Sequence, residues 1–257
     1  MKKNKLLILS AFVALNVPTV SAQDDAPIAT DRPDQTETAI LVPGGMLQFE
    51  SGFNYEETGG NQPGLVHPTL LWRLGLNGKT ELRMITDLTT RGDGDQRNTG
   101  MDPIAIGLKT ALWEERGWIP KASLIAHLSI PTLASPERKT DFYFPDFRFT
   151  FLNVLSDKLS LGYNVGAQWD GFSGEPVFLY TFAPALSLGG AWGCYAELYG
   201  FAPQYGKANH NFDAGFTYLL NNNAQFDISG GWSLTGKEGV PYYVSLGFSW
   251  RFDVVKK

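Results

Sequence analysis

The 257-residue chain contains one cysteine and three histidines. A lone Cys194 cannot close an intramolecular disulfide or anchor a zinc cluster, so it reads as a small apolar wall residue. His67 and His210 are too isolated in the chain for a transition-metal site. Beyond residue 17 no long apolar run remains, which excludes a further membrane-crossing helix. Basic residues are scarce, 21 against 26 acidic ones, and this argues against a nucleic-acid partner. Neither a cofactor nor a metal is implied by any residue pattern. Aromatic residues, at 13%, and 28 glycines are plentiful, as strands that pack closely and carry aromatic belts require.

The N-terminus gives a compartment. Lys2, Lys3 and Lys5 precede an apolar run from Leu6 to Val17, and Val20-Ser21-Ala22 supplies the small residues of a cleavage site. Residues 1–22 therefore read as a secretory signal peptide cut after Ala22, the run being too short to span a bilayer. No cysteine near the cut offers a lipid attachment point. Removal takes three of the 21 basic residues and none of the 26 acidic ones, for a mature net charge of about −8. The mature chain has the length of one barrel or one large sandwich.

From Tyr242 to Phe252 the chain alternates without a break. Tyr242, Val244, Leu246, Phe248, Trp250 and Phe252 fall on one face, and Tyr243, Ser245, Gly247, Ser249 and Arg251 on the other. The pattern recurs in twelve strand-like runs: 46–56, 64–76, 79–90, 102–113, 118–131, 143–155, 159–169, 177–188, 191–203, 210–220, 224–234 and 241–252. The odd-numbered joins are polar and about six to eleven residues long. The even-numbered ones are tight: Asn77-Gly78, Glu114–Gly117, Ser156–Lys158, Gly189-Gly190 and Asn221–Asn223. A soluble sandwich also alternates. The signal peptide, the long and short joins taking turns, and aromatics near strand ends (Trp118, Trp169, Trp250, Phe252) select an all-β, antiparallel transmembrane barrel. The expected organisation is a leader over 23–45, the barrel over 46–252 and a tail over 253–257. Both termini then lie on the periplasmic side of a Gram-negative outer membrane. The lipid bilayer, periplasmic chaperones and the barrel-assembly machinery are the implied partners.

Residues 23–45 do not alternate. Asp31-Arg32-Pro33-Asp34-Gln35-Thr36-Glu37 is charge-dense and fixed by proline. It is either a flexible leader or a segment folded into the periplasmic mouth, with Asp31, Arg32 and Asp34 paired to lumen charges. Thr30 to Glu37, then Val42-Pro43-Gly44 and Gln48-Phe49-Glu50, resembles the opening of the outer-membrane transporters grouped as the MetA-pathway of phenol degradation family. Leu128-Ser129-Ile130-Pro131-Thr132 is similar to that family's mid-barrel Leu-Pro-Thr-Gly stretch, with Leu133 in place of the glycine. The resemblance covers the mature chain. It implies an outer-membrane barrel that takes up small molecules; the link to phenols lies in the family's name alone.

The face opposite the apolar one carries Glu50, Arg73, Glu81, Arg83, Asp87, Lys109, His127, Asp146, Arg148, Glu197, Asp213, Asp227 and Arg251. In a barrel of this size these charges are near enough to pair. They form either an ion-pair network that fills the lumen or the lining of a narrow path for small, aromatic or amphipathic solutes. Mixed signs argue against a strongly ion-selective pore. A plugged structural or interaction barrel is the alternative to a channel. A lipid hydrolase is the third reading, because His127-Leu128-Ser129 resembles the His-x-Ser of outer-membrane phospholipase A and lipid A deacylase. Those families continue with Asn where this chain has Ile130, and alternation turns both side chains away from lipid, so no catalytic residue is expected. Arg91-Gly92-Asp93 is a chance match in a polar loop, and Asp93, Asp95, Asn98 and Asp102 lack the spacing of a calcium loop.

Overall fold

The computed structural model describes residues 26–58, 62–91, 97–235 and 242–255. The signal peptide, its cleavage site and the acidic loop around Asp93 and Asp95 lie outside them, as does the side chain of His67. The strands are β1 (Met46–Thr58), β2 (Gln62–Gly75), β3 (Thr80–Arg91), β4 (Asn98–Met101), β5 (Ile104–Trp113), β6 (Lys121–Ile130) and β7 (Phe144–Val154). They continue as β8 (Leu159–Gln168), β9 (Val177–Gly189), β10 (Trp192–Pro203), β11 (Asn209–Asn221), β12 (Ala224–Ser233) and β13 (Tyr242–Asp253). Chain neighbours pair antiparallel, except that β4 and β5 both pair with β3, and β1 pairs with β13 from Met46↔Asp253 to Glu56↔Tyr243, which closes the barrel. Closure joins the first and last strands and gives every described strand but β4 two partners, as a hydrocarbon surround demands; the free side of β4 is met by Ser135, which exchanges hydrogen bonds with Met101.

β4 and β5 both pair with β3 and form one stave broken at Asp102-Pro103, so the 13 strands make twelve staves. Pro103 has no N–H for the ladder, which explains the break inside what the sequence presents as one run. Pro184 likewise sits in a gap of the β9–β10 ladder, between Tyr195↔Ala185 and Leu198↔Phe182. Most boundaries lie within two residues of the sequence reading, but the fourth stave begins at Asn98 rather than at 102 and two others need an explanation. β6 starts at Lys121 rather than at 118, because Arg116 and Ile119 bridge each other at the hairpin tip and Trp118 is 94% exposed there. The β1–β2 ladder runs on to Thr58↔Gln62, making the first connection shorter than its polarity suggests. Strand ends that project beyond the membrane need no apolar face, so composition does not mark where they stop.

The burial pattern is that of a soluble protein turned inside out. Leu246 is 57% exposed, and Val244, Ile228 and Phe226 are exposed beside it. The largest fully buried side chains include Arg73, Arg83, Lys109, Glu50, Glu81 and Glu197. Lipid accepts the apolar exterior, and the inner charges are tolerable only because they pair. Aromatic pairs ring both ends. Trp192–Tyr218 and Trp250–Phe252 lie near the short turns, and Tyr55–Tyr242 and Phe212–Trp232 near the longer connections.

Candidate functional site in the barrel lumen

The segment before β1 runs inside the barrel. It starts at the short-turn end, where Arg251 Nη2 donates to Ala26 O at 2.7 Å and the Ile28 amide donates to Asn222 O at 2.7 Å. The amides of Asp31 and Arg32 then donate to Glu50 Oε2. The chain turns back over Arg32–Thr36, and the Thr38 amide donates to Asp31 Oδ1 at 2.8 Å. On the return, Ser123 Oγ donates to Ala39 O, Arg73 Nη2 to Ile40 O, and the Val42 amide to Glu81 Oε2. This segment has no ladder of its own, so lumen side chains satisfy its peptide groups.

Two walls of unlike charge face this hairpin. On β1 to β7 the cations Arg73, Arg83, Lys109 and Arg148 are interleaved with Glu50, Glu81, Asp87 and Asp146, while β10, β11 and β12 carry only the acids Glu197, Asp213 and Asp227. The leader complements both. Asp31 accepts from Arg83 Nη1 at 2.7 Å and lies 3.2 Å from Arg73 and 3.5 Å from Lys109. Burial opposes its ionisation, but these three cations outweigh it and hold the Asp31 carboxyl well below the usual range. Glu37 accepts from Arg83 Nη2 at 2.7 Å and stands 3.6 Å from Arg148. Across the lumen, Arg32 Nη2 donates to Asp227 Oδ1 at 3.1 Å. Asp34 is the exception. It faces Glu197 and Asp213, and burial together with those carboxylates raises its pKa well above the usual range.

All thirteen charged residues marked by alternation point into the lumen, but they do not form one set. Glu50, Arg73, Glu81, Arg83 and Lys109 gather around Asp31. His127 joins this group through both ring nitrogens: Nε2 accepts from Arg83 Nε at 3.1 Å, which leaves Nδ1 to donate to Asp146 at 3.0 Å. With Nε2 so occupied, His127 has no free base to offer the Ser129 hydroxyl. Glu197 receives the Gln35 amide and the Thr36 hydroxyl, and Asp213 accepts from Tyr243. Arg251 stands apart at the short-turn end, bonded to Asn223 and Ala26. Asp87 lines the same cavity as Glu37, Arg83 and Arg148. Asp102, considered above for calcium, pairs with Arg91 and Arg138.

Reading by charge alone misses uncharged contacts. Asn164 donates to Glu37 O and accepts the Glu37 amide, imitating a strand neighbour. Thr36 Oγ1 lies 2.6 Å from Thr181 Oγ1, and Ser245 receives Arg32. Period two places Asn164, Thr181 and Ser245 on the inner face, so the signal was present, but nothing local ranks one polar residue above another.

Two cavities flank the apex of the hairpin. One, of about 460 Å³, reaches the short turns at Ser156–Lys158 and Gly190-Ala191. The other, of about 260 Å³, lies toward the long connections between Asn54, Thr69, Asp87, Arg148 and Tyr243. Arg32, Pro33 and Asp34 line both.

Solved structures with this architecture are outer-membrane barrels. The chain is similar to the COG4313 outer membrane channel from Pseudomonas putida F1, with a TM-score of 0.64, 11% identity, and coverage of 83% of this chain and 98% of that one. The KdgM porin gives a TM-score of 0.54 at 10% identity, covering 80% and 99%, and the NanC porin 0.54 at 10%, covering 79% and 98%. At such identities the likeness establishes the fold. No protein of curated function matches the chain by sequence. The profile of the family described as "Putative MetA-pathway of phenol degradation" matches residues 30–252, nearly the whole barrel and its leader, and the chain belongs to that family.

Proposed function

We propose that the protein is a passive channel of the Gram-negative outer membrane for small molecules, with the leader as its internal partition. The signal peptide is removed near Ala22, and the barrel-assembly machinery inserts the chain with its short turns and termini in the periplasm. The two cavities carry this reading. They share Arg32, Pro33 and Asp34 as lining and lie on either side of them, which supports a solute path interrupted where the leader crosses it. The wall closes through the β1–β13 ladder, so the leader is not needed to close the sheet. A lumen of mixed charge favours small polar or amphipathic solutes over ions of one sign. The occupied nitrogens of His127 support a transport role over hydrolysis.

The test is single-channel conductance and liposome swelling with small neutral and aromatic solutes, comparing the full mature chain with one lacking residues 23–40. Deletion is expected to raise conductance and flux while the barrel still folds. A deleted barrel that folds and passes nothing refutes the channel and leaves a structural or interaction barrel.

A further inference from the structure

Glycine in a strand interior weakens it and commonly marks a place where another group must come close. Gly52 and Gly247 face each other directly across the β1–β13 seam, and Asp227 is next to Gly247 on β12. Neither glycine has the positive φ that would demand glycine for backbone reasons. What demands it is Arg32. A Cβ on Gly52 would fall closer than 3.0 Å to Cζ, Nη1 and Nη2 of that side chain. On Gly247 it would fall closer than 3.0 Å to Arg32 Nε and to both carboxylate oxygens of Asp227. The guanidinium therefore lies flat on a floor of two glycines. Its Nη2 donates to Asp227 Oδ1 at 3.1 Å and to Ser245 Oγ at 2.7 Å.

Resting on the channel reading above, we infer that Gly52, Gly247, Asp227 and Ser245 form a guanidinium seat and that Arg32 is the latch holding the leader's apex across the lumen. Arg32 is the only basic residue between positions 26 and 45, so no neighbour substitutes for it on the acidic wall. Nη2 serves the carboxylate and the hydroxyl while the rest of the planar group covers the two-glycine floor, and the compact ammonium of lysine cannot cover that floor. Pro33 and Asp34, which separate the cavities, follow it directly in the chain. The seat draws on β1, β12 and β13 at once, so it is complete only after the barrel has closed. Docking of the leader is thus a late event that reports closure. Arg32 is a positioning residue: it sets where the partition stands.

The experiment uses the full mature chain in lipid nanodiscs, with hydrogen exchange read by mass spectrometry and conductance read in planar bilayers. Gly247→Ala leaves the leader's sequence intact and fills the seat; Arg32→Ala empties it. In both, the amides of Asp31–Thr38 are expected to exchange at least tenfold faster than in wild type, with β12 and β13 unchanged. The double variant should match either single one, and Arg32→Lys should restore protection only in part. Wild-type leader protection in Gly247→Ala overturns the inference. So does additive loosening in the double variant, or loosening that spreads into the β12–β13 ladder and makes Arg32 a support of the barrel itself. A leader that loosens while conductance stays at the wild-type level upholds the latch and counts against the channel reading instead.

Discussion

Arg73 offers the sharpest energetic test of the leader's anchorage. A guanidinium has five N–H donors, and all five are used here. Nε and Nη2 donate to Glu81 at 2.9 and 3.1 Å, Nη1 to Glu50 at 2.9 Å and to Ala29 O at 3.1 Å, and Nη2 also to Ile40 O at 3.0 Å. The side chain is wholly buried, and Asp31 lies 3.2 Å away. One residue therefore ties both limbs of the hairpin to the wall. Arg73→Met keeps most of the volume and removes every donor. It leaves Glu50, Glu81 and Asp31 to share Arg83 and Lys109. Breaking a buried pair from one side costs about 3–5 kcal/mol, and each lost carbonyl bond adds about 1 kcal/mol. If the leader bears about 3 kcal/mol of this, its docking constant falls roughly 100-fold. Endoproteinase cleavage after Glu37 reads that population, because proteolysis follows the open fraction when reclosing is fast. The expected result is a cleavage rate up by about two orders of magnitude, from the same linkage, with heat-modifiable migration of the barrel retained. Cleavage at the wild-type rate would refute the argument. So would an Arg73→Lys protein indistinguishable from wild type, since three donors on one nitrogen cannot span two acids and two carbonyls.

Leu246→Asp, on the outer face at 57% exposure, is expected to block membrane assembly, scored by heat-modifiable migration; a charge at the bilayer midplane costs on the order of 2 kcal/mol. Asp34 gives the leader a pH response. Its raised pKa, set by burial and by Glu197 and Asp213 with Asp31 and Tyr195 nearby, means that the docked state holds a proton the free leader releases. Docking contributed by this group is complete at acidic pH and lost as pH rises through the raised value. Conductance is expected to increase with pH, and the increase to vanish in Asp34→Asn; a pH-independent wild type would contradict this. Ser129→Ala should leave solute flux unchanged, and any phospholipid or lipid A cleavage abolished by that substitution would restore the hydrolase reading.

Local chemistry made the wall legible. Period two follows from the geometry of an extended chain, so each run declared which residues face lipid without reference to its neighbours. Asn77-Gly78, Gly189 and Gly190 supplied the positive φ of tight turns, again a local property. The breaks at Pro103 and Pro184 were legible only as residues that lack an N–H.

Partnership inside the barrel was not legible, because it depends on stagger and closure. Arg73, Glu81 and Glu50 meet Asp31 because β1, β2 and β3 fix their heights around one segment of the leader. Glu37, which looks like one more leader charge, holds Arg83 at 2.7 Å. Ser249 reads from alternation as a tolerant inner position, yet it is fully buried directly opposite Glu50, where an added carboxylate meets a like charge. Gly52 and Gly247, 195 positions apart, become a single seat only when the first and last strands pair. The sequence by itself determined the faces, the turns and the membrane, since each is set by neighbours along the chain. Tertiary structure alone decided which charges pair and where the leader crosses the lumen, since those follow from distances that closure creates.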